Sequence, residues 1–164
     1  MRLAKAGKLR RIRRGLYERP RSHPVMGQTP SNPLAVAESM MRARHAPWQV
    51  SGAYAANLLG LSEQVPAQLV VKTTASVPPV SLGNTRIKFQ RVAPSSLVGA
   101  SRPAGMVIQA VRHLGPNGMA PTLTARLQHQ LKPATKRDLQ KLMPQLPRWM
   151  QPVLKEITAA PASS

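Results

Sequence analysis

Read for the spacing of its apolar positions, the chain predicts helices on either side of a short run of strands. Leu34, Ala37, Met40 and Met41 fall on one face of a helix running to about Arg44. Asn32-Pro33 supplies its cap and a proline at the first helical position, and Ala46-Pro47 ends it. Trp48, Gln49 and Val50 form a short extended lead into residues 51–66. Residues 68–73, QLVVKT, have a continuous apolar centre and predict a strand buried on both faces. Val80-Ser81-Leu82, Gly83-Asn84 and residues 86–90 predict a β-hairpin, because Gly-Asn favours tight hairpin geometry. Ile87 and Phe89 share one face of it, and Arg86, Lys88 and Gln90 share the other. From about Pro103 the period becomes helical: Met106, Val107, Ala110, Val111 and Leu114 form a stripe that Gly115-Pro116 stops. Residues 122–131 and 135–143 are two short amphipathic helices parted by Pro133, and Trp149, Val153, Leu154 and Ile157 repeat at helical spacing in a terminal helix. The fold class that follows is α+β, a small mostly antiparallel sheet with flanking helices.

Residues 51–66, SGAYAANLLGLSEQVP, are the least generic stretch. The Ser51 hydroxyl is placed to cap a short helix by accepting from a free first-turn N–H. The Ala-rich run after it has high helix propensity and little bulk, so another element can approach closely. Gly60 tolerates the positive φ that ends many helices, and Val65-Pro66 imposes extended backbone leading to a strand. Asn57 is an unusual polar choice in such a helix and is expected to make a buried hydrogen bond holding the start of the strand, with Gln109 as its companion.

The first 21 residues carry nine Lys or Arg and one acid, Glu18. Residues 2–6 read as the tail of a helix ended by Gly7. Leu9, Ile12, Leu16 and Tyr17 are apolar between arginines, and Gly15 permits a turn, so residues 9–17 predict a strand–turn–strand with Arg-Arg-Gly near its tip. Residues 1–20 thus look like a partial winged-helix element, a helix end plus a basic wing. Residues 21–33, with Pro24, Pro30 and Pro33, read as a linker; residues 34–158 form the main domain, and residues 159–164 a disordered tail.

Composition sharpens this picture. A length of 164 residues fits one domain or a small domain with an appendage. Two Trp, two Tyr and one Phe leave an aliphatic core, in which eight Met can fill irregular gaps. Twenty-four Lys and Arg against five acids give a net charge of +19, beyond what solubility needs, and point to a polyanionic partner. The absence of Cys excludes disulfides, thiolate zinc sites and Cys nucleophiles. No apolar run approaches the roughly 20 residues that span a bilayer. The basic N-terminus superficially suggests a transit peptide, but Gly7, Gly15 and Pro20 break it, so a soluble cytoplasmic protein is expected.

The pattern SGA-x-AANLLGLS-x-QVP at residues 51–66 resembles the signature of AbiEi-like proteins, the antitoxin halves of type IV toxin–antitoxin systems. The resemblance continues through residues 82–89 (LGNTRIKF), 107–115 (VIQAVRHLG) and 7–17 (GKLRRIRRGLY), and covers about residues 2–155. It implies a bacterial DNA-binding protein with an N-terminal winged-helix module closed by a helix and a basic wing. This chain would begin within that module's last helix, the earlier helices lying upstream of Met1 or lost by truncation. It also implies a C-terminal region that opposes a cognate nucleotidyltransferase-like toxin, whose acidic metal-binding site would suit a basic surface.

Chemistry is sparse. The four His, at 23, 45, 113 and 129, lie at no metal-ligand spacing, the acids form no close pair in sequence, and the glycines at 99–105 are interrupted by Pro103 and lack a following Lys-Ser or Lys-Thr. No catalysis and no cofactor are expected. The basic wing is the main candidate site. Arg10, Arg11, Arg13 and Arg14 can bond phosphates and guanine edges bidentately, with Arg11 and Arg13 on one face of the strand, and Lys5 and Lys8 add positioning contacts. In winged-helix proteins the wing mainly holds the phosphate backbone, so weak sequence preference is expected of this element alone. Lys132, Lys136, Arg137, Lys141, Arg148 and Lys155 form a second basic zone, half of it solvated helix face. The expected function is autoregulation by binding operator DNA upstream of its own gene, together with neutralisation of the toxin. The rival is a small basic structural or general RNA- or DNA-binding protein with no toxin partner.

Overall fold

The computed structural model describes residues 32–161 and, before them, four short strands: β1 (Arg10–Arg13), β2 (Leu16–Glu18), β3 (Ser22–His23) and β4 (Gly27–Gln28). Strands β1 and β2 pair antiparallel, and so do β3 and β4, which lie within the expected linker.

Helix α1 (Pro33–Arg44) starts as its sequence dictates. The Asn32 side-chain oxygen accepts from the backbone N–H groups of Leu34 (3.0 Å) and Ala35 (3.5 Å), and Pro33 takes the position where a missing N–H costs nothing. His45, in the left-handed region, closes it. Prolines open three further helices in the same way: α3 (Pro103–Gly118), α4 (Pro121–Gln130) and α5 (Pro133–Leu142). The last helix is α6 (Met150–Thr158). In α3 the expected stop at Gly115-Pro116 is a kink: Gly115 adopts φ 74°, and one further turn follows.

One four-stranded sheet organises residues 48–91, with β5 (Trp48–Val50), β6 (Leu69–Thr73), β7 (Val80–Leu82) and β8 (Thr85–Arg91) in the order β5-β6-β8-β7. The β7–β8 pair is the expected hairpin, and β5–β6 is also antiparallel. Strands β6 and β8 run parallel, so the sheet is mixed. Strand register puts Val50, Leu69, Val71, Thr73, Val80 and Ile87 on one face, all buried. Helix α1 contributes Val36, Ala37, Met40 and Met41 to the same core. The other face carries Gln49, Val70, Lys72, Ser81, Arg86, Lys88 and Gln90. Helix α3 crosses only its β5–β6 half, where Gln49 bonds the Arg102 carbonyl (3.3 Å) and Lys72 bonds Gln109 (3.1 Å). Strand β6 is therefore not buried on both faces as its apolar run suggests, for Val70 and Lys72 are only half-buried.

The junction at residues 51–66 is a helix, α2 (Gly52–Leu58), packed against α3. Ser51 occupies the cap position, but its hydroxyl makes no capping bond, contrary to expectation. Its backbone N–H donates to the Val70 carbonyl (2.7 Å), which continues the sheet ladder and fixes the turn into the helix without the side chain. At the other end Gly60 takes φ 72°, its N–H bonds the Asn57 carbonyl (3.0 Å), and the Leu61 N–H bonds the Ala56 carbonyl (2.8 Å), a Schellman closure. Helix α4 secures this end from outside: Gln130 donates to the Leu59 carbonyl (3.3 Å) and Arg126 to that of Gly60. Behind α3, the fully buried Leu127, Leu139, Met150, Leu154 and Ile157 join α4, α5 and α6, each worth about 1.5–3 kcal/mol on burial.

Candidate nucleic-acid interface

In the basic N-terminal segment, Arg10, Arg11 and Arg13 lie on β1, opposite Glu18, Tyr17 and Leu16 of β2 respectively. The register slips between Arg11 and Arg13, so Ile12 is an extra residue that interrupts the simple alternation expected for the two arginines. Lys5, Lys8 and Arg14 lie outside the described residues. Strand β1 passes beside β7, the outer strand of the main sheet.

Cations also dominate the rest of the chain. Residues 32–161 hold fifteen Lys and Arg against four acids, and two of those acids are engaged. Glu38 pairs with Arg42 at 3.2 Å within α1, and Asp138 pairs with Arg102 at 2.8 Å, tying α5 to the start of α3. Both pairs are substantially solvated and worth about 0–1 kcal/mol, too little to neutralise the field. Of the second basic zone, Lys132 precedes α5 and Lys136, Arg137 and Lys141 lie on it, Lys132/Lys136 and Arg137/Lys141 being four residues apart, while Arg148 and Lys155 are exposed on the loop before α6 and on α6 itself.

A further set of cations was not singled out by sequence reasoning. Arg86 and Lys88 are exposed on the uncovered half of the sheet's second face, followed by Gln90. Lys72 lies opposite Gln90 on the adjacent strand. Its ammonium donates to the Gln109 side-chain oxygen, whose own amide donates to the Ser96 carbonyl (3.1 Å). Gln109 is fully buried, so this relay fixes Lys72 at the joint between sheet and α3. Burial, and secondly the charge of Arg112 one helical turn beyond Gln109, lower the pKa of Lys72. The alternation of Arg86 and Lys88 was visible in sequence; Lys72 was hidden in an apolar run, and Arg112 had no pattern to mark it.

The remaining polar candidates are structural. Asn57 donates to the Ser62 carbonyl (3.3 Å), bracing the loop that leads to β6, but Gln109 serves Lys72 and Ser96 rather than Asn57. His113 is exposed on the rim of an open groove of about 420 Å³ that Ala53, Ser62, Gln64, Val65 and Pro66 complete, a lining with one imidazole and no carboxylate. Among the described residues no three His, Cys, Asp or Glu gather to hold a metal ion, and no helix is long and apolar enough to cross a membrane.

Comparison with curated proteins finds no match, and comparison with solved structures finds none. A family model does match, over residues 1–139, which include the basic hairpin, the whole sheet and the helices as far as most of α5. The chain therefore belongs to DUF6088, a family of unknown function.

Proposed function

We propose that this protein is an AbiEi-like antitoxin that binds operator DNA upstream of its own gene and counteracts a nucleotidyltransferase-type toxin. The observation that carries the DNA half is the concentration of nine Lys or Arg in the first 21 residues, three of them on one strand of an antiparallel hairpin. Arginines on a two-stranded ribbon suit the phosphate backbone and guanine edges, because the planar guanidinium bonds both bidentately. The toxin half is supported by the resemblance of residues 51–66 to the AbiEi-like signature and by the basic surface an acidic enzyme site would meet. The reading includes no catalytic step and no cofactor, and it places the protein in the bacterial cytoplasm.

A reporter driven by the DNA upstream of this gene tests the first half. Supplying the protein in trans is expected to repress it, and the Arg10/Arg11/Arg13/Arg14→Ala variant to restore expression; unchanged reporter output in the presence of folded protein contradicts operator binding. Coexpression with a nucleotidyltransferase-type toxin encoded beside this gene tests the second. Relief of growth arrest is expected, and persistent arrest contradicts it. One observation favours a plainer second reading, a general nucleic-acid binder: the fifteen cations of residues 32–161 are spread beyond the hairpin. That reading expects uniform binding to unrelated duplexes and no toxin relief.

A further inference from the structure

We infer that the uncovered half of the main sheet, together with the step where it meets α3, is a second nucleic-acid surface, on which Arg86 and Lys88 of the sheet and Lys72 and Arg112 at the step hold the phosphodiester backbone of a duplex. The inference rests on the nucleic-acid half of the reading above and not on its toxin half. Strand register places Arg86 and Lys88 on one face of β8 and continues that row to Gln90 and its neighbour Lys72 on β6. With a rise of about 3.3 Å per residue and strands about 4.8 Å apart, the row extends roughly 13 Å. A duplex presents one charge per about 1.7 Å of axis, so a row of this length faces several phosphates at once. Arg112 adds a cation from the edge of α3, close enough to depress the ionisation of Lys72. The step between helix and sheet is therefore lined by positive charge on its floor and its wall. None of the four acids of residues 32–161 lies on the sheet.

The chemistry of this face selects its partner. Its other members are Ser81, Gln90 and Val70, polar hydrogen-bonding groups apart from one half-buried valine. A protein partner would need an apolar or aromatic anchor at the centre of the interface, and this face offers none. Single strands are held largely by stacking bases on aromatic rings, yet Trp48 and Phe89 belong to the opposite face. Charge and hydrogen bonding without stacking is the composition of a backbone-reading duplex surface. Strand β1 passes beside β7, so the basic hairpin adjoins the outer edge of the same sheet.

The test is the salt dependence of binding to short labelled duplexes, one of DNA and one of RNA, both of unrelated sequence. Three variants of the full chain are compared with wild type: Arg86→Gln/Lys88→Gln, Arg112→Gln, and Arg137→Gln/Lys141→Gln as an equal charge loss on α5. All these side chains are exposed or half-exposed, so the fold is expected to persist. The sheet-face pair is expected to weaken binding roughly tenfold or more at low salt and to reduce the slope of log affinity against log salt by about 2. Arg112→Gln is expected to reduce the slope by about 1, and the α5 pair to leave it nearly unchanged. Preference for the DNA or the RNA duplex identifies the source of the backbone. Equal losses from the sheet-face and α5 pairs, no loss from the sheet-face pair, or no duplex binding at all overturns the inference. Displacement of the duplex by polyglutamate at equivalent charge, abolished by the sheet-face pair, overturns it in favour of an acidic protein partner. Loss in the sheet-face pair without any preference for the upstream DNA leaves this surface standing and removes the operator reading; the reverse result does the opposite.

Discussion

Gly52 is where α2 meets α3, and a single carbon decides the contact. A Cβ there would overlap that of His113 and come within 2.7 Å of the Gln109 carbonyl oxygen, which is backbone and has little room to move. Gly52→Ala is therefore expected to destabilise the fold by about 1–3 kcal/mol, read as a lower urea midpoint with an unchanged m-value. An unaltered midpoint would mean the two helices are not held this close. The small residues of the 51–66 stretch made close approach legible in the sequence, but not the identity of the approaching helix, because packing partners distant in sequence leave no local signature. Lys72 offers a pH test at the same scale. Burial, then Arg112, holds its pKa below the ordinary 10.5. Below the folded pKa the ammonium is charged at a cost to the native state. That cost is relieved as pH rises from the lowered value towards 10.5, because only the unfolded chain still binds the proton. The stability of wild type relative to Lys72→Gln is expected to rise across that alkaline window, and a flat difference would contradict a burdened lysine.

At the scale of elements, helix starts were the most legible feature. Asn32-Pro33 and Pro103 mark first turns, since proline forfeits an N–H that a first turn leaves free anyway. Pro133 looks in sequence like a break between two helices, and in the structure it opens the second, as Pro121 opens the first. Two caps that look alike in sequence separate in the structure. Asn32→Ala removes a side chain that accepts two first-turn N–H groups, and is expected to cost about 1 kcal/mol. Ser51→Ala removes a hydroxyl that makes no such bond, and is expected to change stability by less than about 0.5 kcal/mol. Paired thermal or urea unfolding of the two variants checks the contrast, and equal losses would contradict it. The hairpin of β7 and β8 was legible from Gly83-Asn84 and the alternation beyond it. The parallel pairing of β6 with β8 was not, because alternation assigns faces and says nothing of which strand edges meet. The Arg11–Arg13 slip was equally invisible, since a one-residue bulge leaves composition unchanged.

For the whole molecule, charge is the dominant fact. Two partly solvated ion pairs do little against the excess of cations in residues 32–161, so the folded chain repels itself. Moderate salt is expected to raise the melting temperature by screening this repulsion, and a fall on going from low to moderate salt would contradict it. The excess itself was plain from composition. Its gathering on the sheet's second face was only half legible: Arg86 and Lys88 alternate visibly, but Lys72 lies within an apolar run and joins them only through the β6–β8 register. We propose that this charge serves recognition of the protein's own upstream DNA through the basic hairpin. The most direct test is a mobility-shift titration on that DNA, at moderate salt and with excess unrelated duplex. Binding that survives the competitor and is lost in Arg10/Arg11/Arg13/Arg14→Ala is the predicted result. Displacement in simple proportion to competitor, equally in wild type and variant, would contradict the claim.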